Sequence, residues 1–387
     1  MSTPLNPAPP QGPEDADRQV LAMHDEIVEP QLESAENAIA LKEVAGLTQG
    51  QLVFRRFIRH KAAVVAAIVF VLIVLLAFTS VGIDALGIRI PGWWQYDWIE
   101  ISPLVNNGLP TWVFPFDFGP HPFGQDEIGH DMFAQVMRGT QQSLMIMVLV
   151  GLVSTVLGIV IGAVSGFFRG WTDSLLMRLT DVVIIIPALV ITAVLGKQAG
   201  AHGAVVLAIV LGLVSWTALA RLLRGDVLSL REREFVDAAR VAGASPWRIM
   251  FVHILPNAVG VVVVNATLLM SATILTEAAI SFLGFGVQLP DVSLGKIIQE
   301  YQAAFQTRPW LFWWPGILII VIALTVNFIG DGLRDAFDPR QRRGLNRSAR
   351  REQREALAAI AAIGAANAAN SGVTPAIAPG DEPGSRR

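Results

Sequence analysis

The sequence predicts an all-α, polytopic membrane protein with six spanning helices. Three observations carry that prediction: 53% of the 387 residues are hydrophobic and only 16% charged, six long stretches are nearly free of charge, and Lys and Arg gather on alternate connections between them. A soluble domain has roughly 25% charged residues and shorter apolar runs. A bilayer core about 30 Å thick takes about 20 apolar residues per helix, and each stretch is too long for a buried strand.

The elements follow in order. Residues 1–50 are polar, acidic and proline-bearing, with no basic region leading directly into an apolar core. They read as a retained, disordered cytoplasmic extension and not as a cleavable signal peptide. The first span is expected over 62–83, entered through Arg55, Arg56, Arg59 and Lys61, which place the amino terminus in the cytoplasm. A segment with Trp93, Trp94, Tyr96, Trp98 and Trp112 follows, expected as a belt at the membrane surface, with an aromatic ligand cage as the alternative. The second span covers 139–168, where Gly158, Gly162 and Gly166 form a small-residue face for close helix packing. The third runs over 175–196, the fourth lies within 198–220, the fifth within 254–276 and the sixth within 309–330.

The positive charges fit this count. The inner connections carry Arg169 and Arg178, then Arg221, Arg224, Arg231, Arg233, Arg240 and Arg248, then Arg334, Arg340, Arg342 and Arg343. The outer ones carry only Arg89, Arg138, Lys197, Lys296 and Arg308, and an even number of spans returns the carboxyl terminus to the cytoplasm. The tail over 341–387 is rich in Ala and Arg and reads as largely disordered, with a short helix over 352–362. The expected domains are therefore the extension 1–50, a first helix with its Trp-rich outer segment over 51–138, a five-helix core over 139–340, and the tail.

Composition also excludes functions. With no cysteine the chain has no disulfide, thiolate metal site or Cys nucleophile. The metalloprotease His-Glu-x-x-His, the hydrolase Gly-x-Ser-x-Gly and the phosphate-binding Gly-x-x-x-x-Gly-Lys-Ser/Thr are absent, so no catalytic or metal residue is predicted. A net charge of -3 gives nucleic-acid binding no support.

The most informative stretch is 229–249, too charged for the bilayer and full of helix signals. Ser229 and Glu232 are spaced as a capping box, opening a helix to Ala242 that Gly243 ends in the left-handed conformation. Ser245 as N-cap and Pro246 as first helical residue open a second helix that leads to Leu255 and Pro256 at the next span. Phe235, Ala238, Ala239 and Ala242 share one flank, a single large knob among small side chains, suited to a partner's groove. A solvated loop lying on the membrane is the plain alternative. Charged groups at membrane depth are costly and usually functional, which singles out Arg178, Asp181 and Glu277. Arg178 and Asp181 are expected near the inner headgroups, bonded to each other or to the helix end. Glu277 either pairs with a neighbour or lines a path.

Asp237-Ala-Ala-Arg-Val-Ala-Gly243, followed by Leu255-Pro256, resembles the EAA loop of the membrane subunits of ATP-binding-cassette (ABC) importers, with Asp237 in place of the usual Glu. His253 before Ile254-Leu-Pro-Asn257 has the form of that family's peptide and nickel branch. Four further segments are similar to the branch's C-type permease: His121 to Asp131, with His130 where Arg is usual; Arg178-Leu-Thr-Asp181 with Pro187; Glu277 to Gly284; and Gly330 to Asp335 with Asp338-Pro339. Together they cover 51–340.

The resemblance implies a type I ABC importer permease fold in a prokaryotic inner membrane. It implies a coupling loop at 229–256 in which Glu232, Glu234, Phe235, Asp237, Ala238, Ala239, Arg240, Gly243, Pro246, His253 and Pro256 engage a cleft of an ATPase subunit. The implied partners are a homologous permease, two ABC ATPase subunits and an extracytoplasmic substrate-binding protein. ATP and Mg would be bound by the ATPases, leaving no cofactor in this chain. Short peptides are the expected substrate on family frequency, with nickel complexes or other small solutes as alternatives. An ion-coupled secondary transporter using Asp181 or Glu277 is the rival class, and it predicts inverted repeats with interrupted helices.

Overall fold

The computed structural model describes residues 49–85, 88–112, 119–200 and 202–337. Residues 1–48, the tail and its expected helix over 352–362 lie outside these. The described residues are mostly helical, with one two-stranded antiparallel hairpin, β1 (Ile83–Ala85) with β2 (Ile88–Ile90).

Helix α1 (Gln49–Arg59) meets α2 (Lys61–Ser80) at His60, whose Nδ1 accepts the Ala63 N–H at 3.1 Å and so caps α2. Helix α3 (Met132–Phe168) has 37 residues, about 56 Å at 1.5 Å per residue, well beyond a bilayer core. It begins seven residues before the expected span because Asp131 caps it, accepting the Ala134 N–H at 2.7 Å, and helix formation continues where hydrophobicity stops.

The expected third span is broken. Helix α4 (Gly170–Ile185) and α5 (Ala188–Gly200) meet at 81°, at Pro187. Proline disfavours the helical region for its predecessor, and Ile186 is extended, at φ -78 and ψ 125. The fourth is bent by 44° between α6 (Ala204–Ser215) and α7 (Thr217–Leu230). Then come α8 (Glu234–Val241), α9 (Pro246–Arg248), a π-helical turn Ile249–Ile254 and α10 (Leu255–Phe282), the last three forming one 37-residue run. Helix α11 (Leu294–Tyr301) and α12 (Trp310–Phe337) complete the described chain. Among the described residues four helical runs are long and apolar enough to cross a membrane, or up to six if each bent pair is one span.

Helix α3 is the spine. Its first half packs Met132, Val136, Leu144 and Met147 against Ile274 of α10, Leu294 of α11 and Leu311 and Ile322 of α12. Midway, Ile146 and Val150 meet Leu207 and Leu211 of α6. At its far end Ala163 and Phe167 meet Leu223 and Val227 of α7, Val236 of α8 and Ile249, Met250 and Ile254. The glycine face does what its spacing predicts: a Cβ on Gly162 would lie 2.6 Å from the Ala220 carbonyl oxygen, and one on Gly166 2.8 Å from that of Arg224. The backbones of α3 and α7 therefore touch.

Candidate functional site

The loop that carries the most sequence signal forms a sharp corner at the far end of α3. Ser229 is not its cap: α7 continues through Ser229 to Leu230, and α8 starts only at Glu234, after the extended Arg233. The capping-box spacing is overridden because Val227 and Leu223 are buried against α3, which extends α7 into the loop. Glu232 instead pairs with Arg169 at 2.7 Å. The rest of the corner forms as its residues predict. Gly243 stands at φ +78, with Gly243 N–H donating to the Arg240 carbonyl at 2.9 Å and Ala244 N–H to that of Ala239 at 3.0 Å, a Schellman ending. Ser245 caps the next helix at the Arg248 N–H, 3.4 Å away, with Pro246 behind it.

The corner is anchored by a residue the sequence did not single out. Val236 is fully buried among Ile249, Met250 and Phe167, whereas Phe235 is 39% exposed, Val241 90% and Trp247 54%. Glu234, Asp237, Ala238, Arg240 and Pro246 are also exposed, Ala239 is half-buried, and Asp237 pairs with Arg240 at 2.9 Å. The corner thus presents large apolar side chains outward and holds itself by one small one.

From this corner the chain enters α10 through the π turn, in which the Leu255 N–H reaches the Met250 carbonyl. A proline ring clashes with the carbonyl four residues before it, and the wider turn precedes Pro256 directly. His253 is half-buried in this turn, its carbonyl accepting from Asn257 at 2.6 Å.

Of the residues expected at membrane depth, Arg178 is exposed on α4, and Asp181 bonds Arg221 of α7 at 2.6 Å, not Arg178. The partner lies 40 positions on, across the 81° break, where no local pattern points. Glu277 is 1% exposed and accepts from Ser143 of α3 at 2.9 Å and from Ser281 at 2.7 Å. Ser293, the N-cap of α11, donates to Ser281 at 3.2 Å, and the Ser143 hydroxyl also accepts the Leu294 N–H at 3.3 Å. Through these hydroxyls the Glu277 carboxyl links α3, α10 and α11.

The segment before α3 is folded, and several of its aromatics are internal to it. Trp94 packs on Phe133 and donates to Asp131 at 3.0 Å, Tyr96 stacks on His121 at 4.5 Å, and Trp98 lies 4.3 Å from the Arg138 guanidinium. Trp93 and Trp112 alone of the five expected belt residues stay exposed. Asp131 also takes His121 Nδ1 at 2.7 Å, and burial, outweighing these hydrogen bonds, holds its carboxyl above the ordinary value. Asp126 is pushed up by burial too. There, however, His130, which bonds it at 2.7 Å, together with Tyr301 at 2.9 Å, outweighs burial and holds the carboxyl below its ordinary value. Burial and the Asp126 charge in turn raise the Tyr301 phenol.

The chain is similar to known proteins. Residues 158–343 match the family described as binding-protein-dependent transport system inner membrane component. Residues 48–97 match the N-terminal TM domain of oligopeptide transport permease C. The oligopeptide transport system permease protein OppC of Mycobacterium tuberculosis is 36% identical over 301 residues, 77% of this chain and 97% of that one. Its namesake in Haemophilus influenzae is 33% identical over 311 residues, 80% and 95% of the two chains. A solved inward-facing MetNI methionine ABC transporter is similar at TM-score 0.45 and 18% identity, over 54% of this chain and 98% of that one. With relatives matched over nearly their whole length, this chain belongs to the binding-protein-dependent transport system inner membrane component family, as a C-type multi-pass membrane permease subunit.

Proposed function

We propose that the chain forms half of the translocation pathway of an ATP-driven importer of short peptides, and couples to separate ATPase subunits through its 229–256 loop. The observation that carries the coupling is the corner itself: Phe235, Val241 and Trp247 stand unburied on two short helices joined at the Gly243 corner, and the second of them runs without interruption into the membrane-long Pro246–Phe282. A surface of this kind, rigidly joined to a spanning helix, moves that helix when a partner grips it. Peptides as the substrate rest on the relatives named as oligopeptide permeases; nickel complexes or other small solutes are the second reading.

In this reading each bent pair is one span, giving six, with the segment before α3 outside and the corner and both termini in the cytoplasm. A homologous permease supplies the other half of the pathway, two ATPases bind ATP and Mg, and an extracytoplasmic protein delivers the solute. Ion-coupled transport is disfavoured although the helices do break, because Asp181 is paired with Arg221 and Glu277 is closed in by serines.

The test is Gly243→Val in the complex co-purified with its permease partner and ATPases. A β-branched residue opposes the left-handed φ of +78, while nothing within 4 Å would clash with its Cβ, so the corner is altered and packing is not. Expected is full membrane insertion with vanadate-sensitive ATP hydrolysis lost or uncoupled from uptake. Uptake equal to the parent chain would refute the lever.

A further inference from the structure

Helix α4 has almost no core. Of its sixteen residues, all described, Thr180 alone is buried, and Trp171, Leu175, Leu179 and Ile185 are exposed. What ties it to the bundle is charge. Asp173 receives both Nε and Nη2 of Arg224, at 2.6 and 2.7 Å, a bidentate pair, and Asp181 receives Arg221 at 2.6 Å. The two arginines are three apart on one face of α7. The two aspartates are eight apart on α4, about 12 Å along its axis. The order is antiparallel, the earlier arginine meeting the later aspartate. A third pair, Arg169 with Glu232 at 2.7 Å, joins the α3–α4 junction, where Arg169 itself sits at φ +57, to the turn that opens the corner.

We propose that these three ion pairs are a second transmission route out of the coupling corner. Movement of the corner pulls Glu232 and the end of α7, and the clamp drags α4, and α5 beyond the Pro187 bend, alongside the movement passed into α10. The inference rests on the coupling role proposed above. Two of the pairs, Arg169 with Glu232 and Arg221 with Asp181, are largely exposed and individually weak, and the bidentate Asp173 pair is only half-buried, so the clamp orients the α4–α5 arm without fixing it to a core. Asp173, Asp181, Arg221, Arg224, Arg169 and Glu232 are positioning residues, none of which has to touch the solute.

The absence of cysteine makes the test direct. Spin labels go on Val194→Cys of α5 and Val65→Cys of α2, both exposed, in the complete transporter with cysteine-free partner subunits in liposomes. ATP with vanadate is expected to shift the distance distribution between them by more than its width. Asp173→Arg should abolish the shift while ATP hydrolysis stays within twofold, and Asp173→Arg with Arg224→Asp should restore it. Should the reversal fail to insert, Asp173→Asn, which keeps the size and removes the charge, is held to the same loss of shift. An unchanged shift in the single variants, no recovery in the swap, or no shift in the parent chain despite hydrolysis would overturn the clamp alone. A parent complex that binds no ATPase would overturn the coupling role and the clamp with it.

Discussion

Phe235 and Val236 are adjacent on a helix of eight residues, and their environments are opposite. One residue turns the helix by about 100°, so the first points outward and the second into Ile249 and Met250. Truncating Val236 to Ala removes two methyl-sized groups, about 1.6 kcal/mol of transfer free energy before any cavity term. The expected outcome is a lower thermal midpoint for the purified subunit. Phe235→Ala should leave that midpoint nearly unchanged and weaken ATPase binding at least tenfold, measured by co-purification titration. ATPase binding untouched by Phe235→Ala would remove it as the docking knob. Spacing made the outward flank legible in the sequence. The anchor was not, because only a tertiary contact to residues after the next helix start distinguishes Val236 from any other valine. Glu277 was singled out for the same chemical reason that hid its partners: a membrane carboxyl is conspicuous, but its hydroxyl environment is assembled from α3, α10 and the α11 cap.

At the scale of elements, glycine spacing and proline are the readable signals, and they differ in what they give away. The 158, 162, 166 repeat identified a close-packed seam whose partner turned out to be α7. Its strictness is testable against a glycine on that same partner. A methyl on Gly162 meets backbone at 2.6 Å, which cannot swing aside, and overpacking of this kind costs about 1–3 kcal/mol. Gly225, exposed on α7, has nothing within 4 Å of a new Cβ, and Ala there gains about 1 kcal/mol of helix propensity. Gly162→Ala should therefore lower, and Gly225→Ala raise, resistance of the detergent-solubilised subunit to denaturant. Equal effects would mean the seam tolerates separation. Proline was less well read: an apolar run of span length argued for one helix over 175–196, yet the restriction Pro187 places on Ile186 breaks it by 81°. The capping box at Ser229 failed for a related reason, since burial of α7 against α3 outweighs a local hydrogen-bond signal.

At the scale of the whole molecule, hydropathy and charge located the four membrane-length helical runs and the two bent pairs found among the described residues, and span count and sidedness are what the bends put at stake. In a chain without cysteine, single substitutions report sidedness one position at a time. Ile128→Cys lies in the segment before α3, Val241→Cys at the corner, and His202→Cys between α5 and α6, all three exposed. Six spans with the amino terminus inside put 128 and 202 on the outer face and 241 in the cytoplasm. If the bent pairs dip into the membrane without crossing, 128 and 241 keep their sides and only 202 moves inward. A membrane-impermeant maleimide applied to intact cells is therefore expected to label Ile128→Cys and His202→Cys, and to reach Val241→Cys only after lysis. Labelling of His202→Cys only after lysis would reduce the count to four and make each bent pair re-entrant. Labelling of 128 and 241 from the same side would remove the basis for a corner that answers to ATP while the opposite face receives the solute.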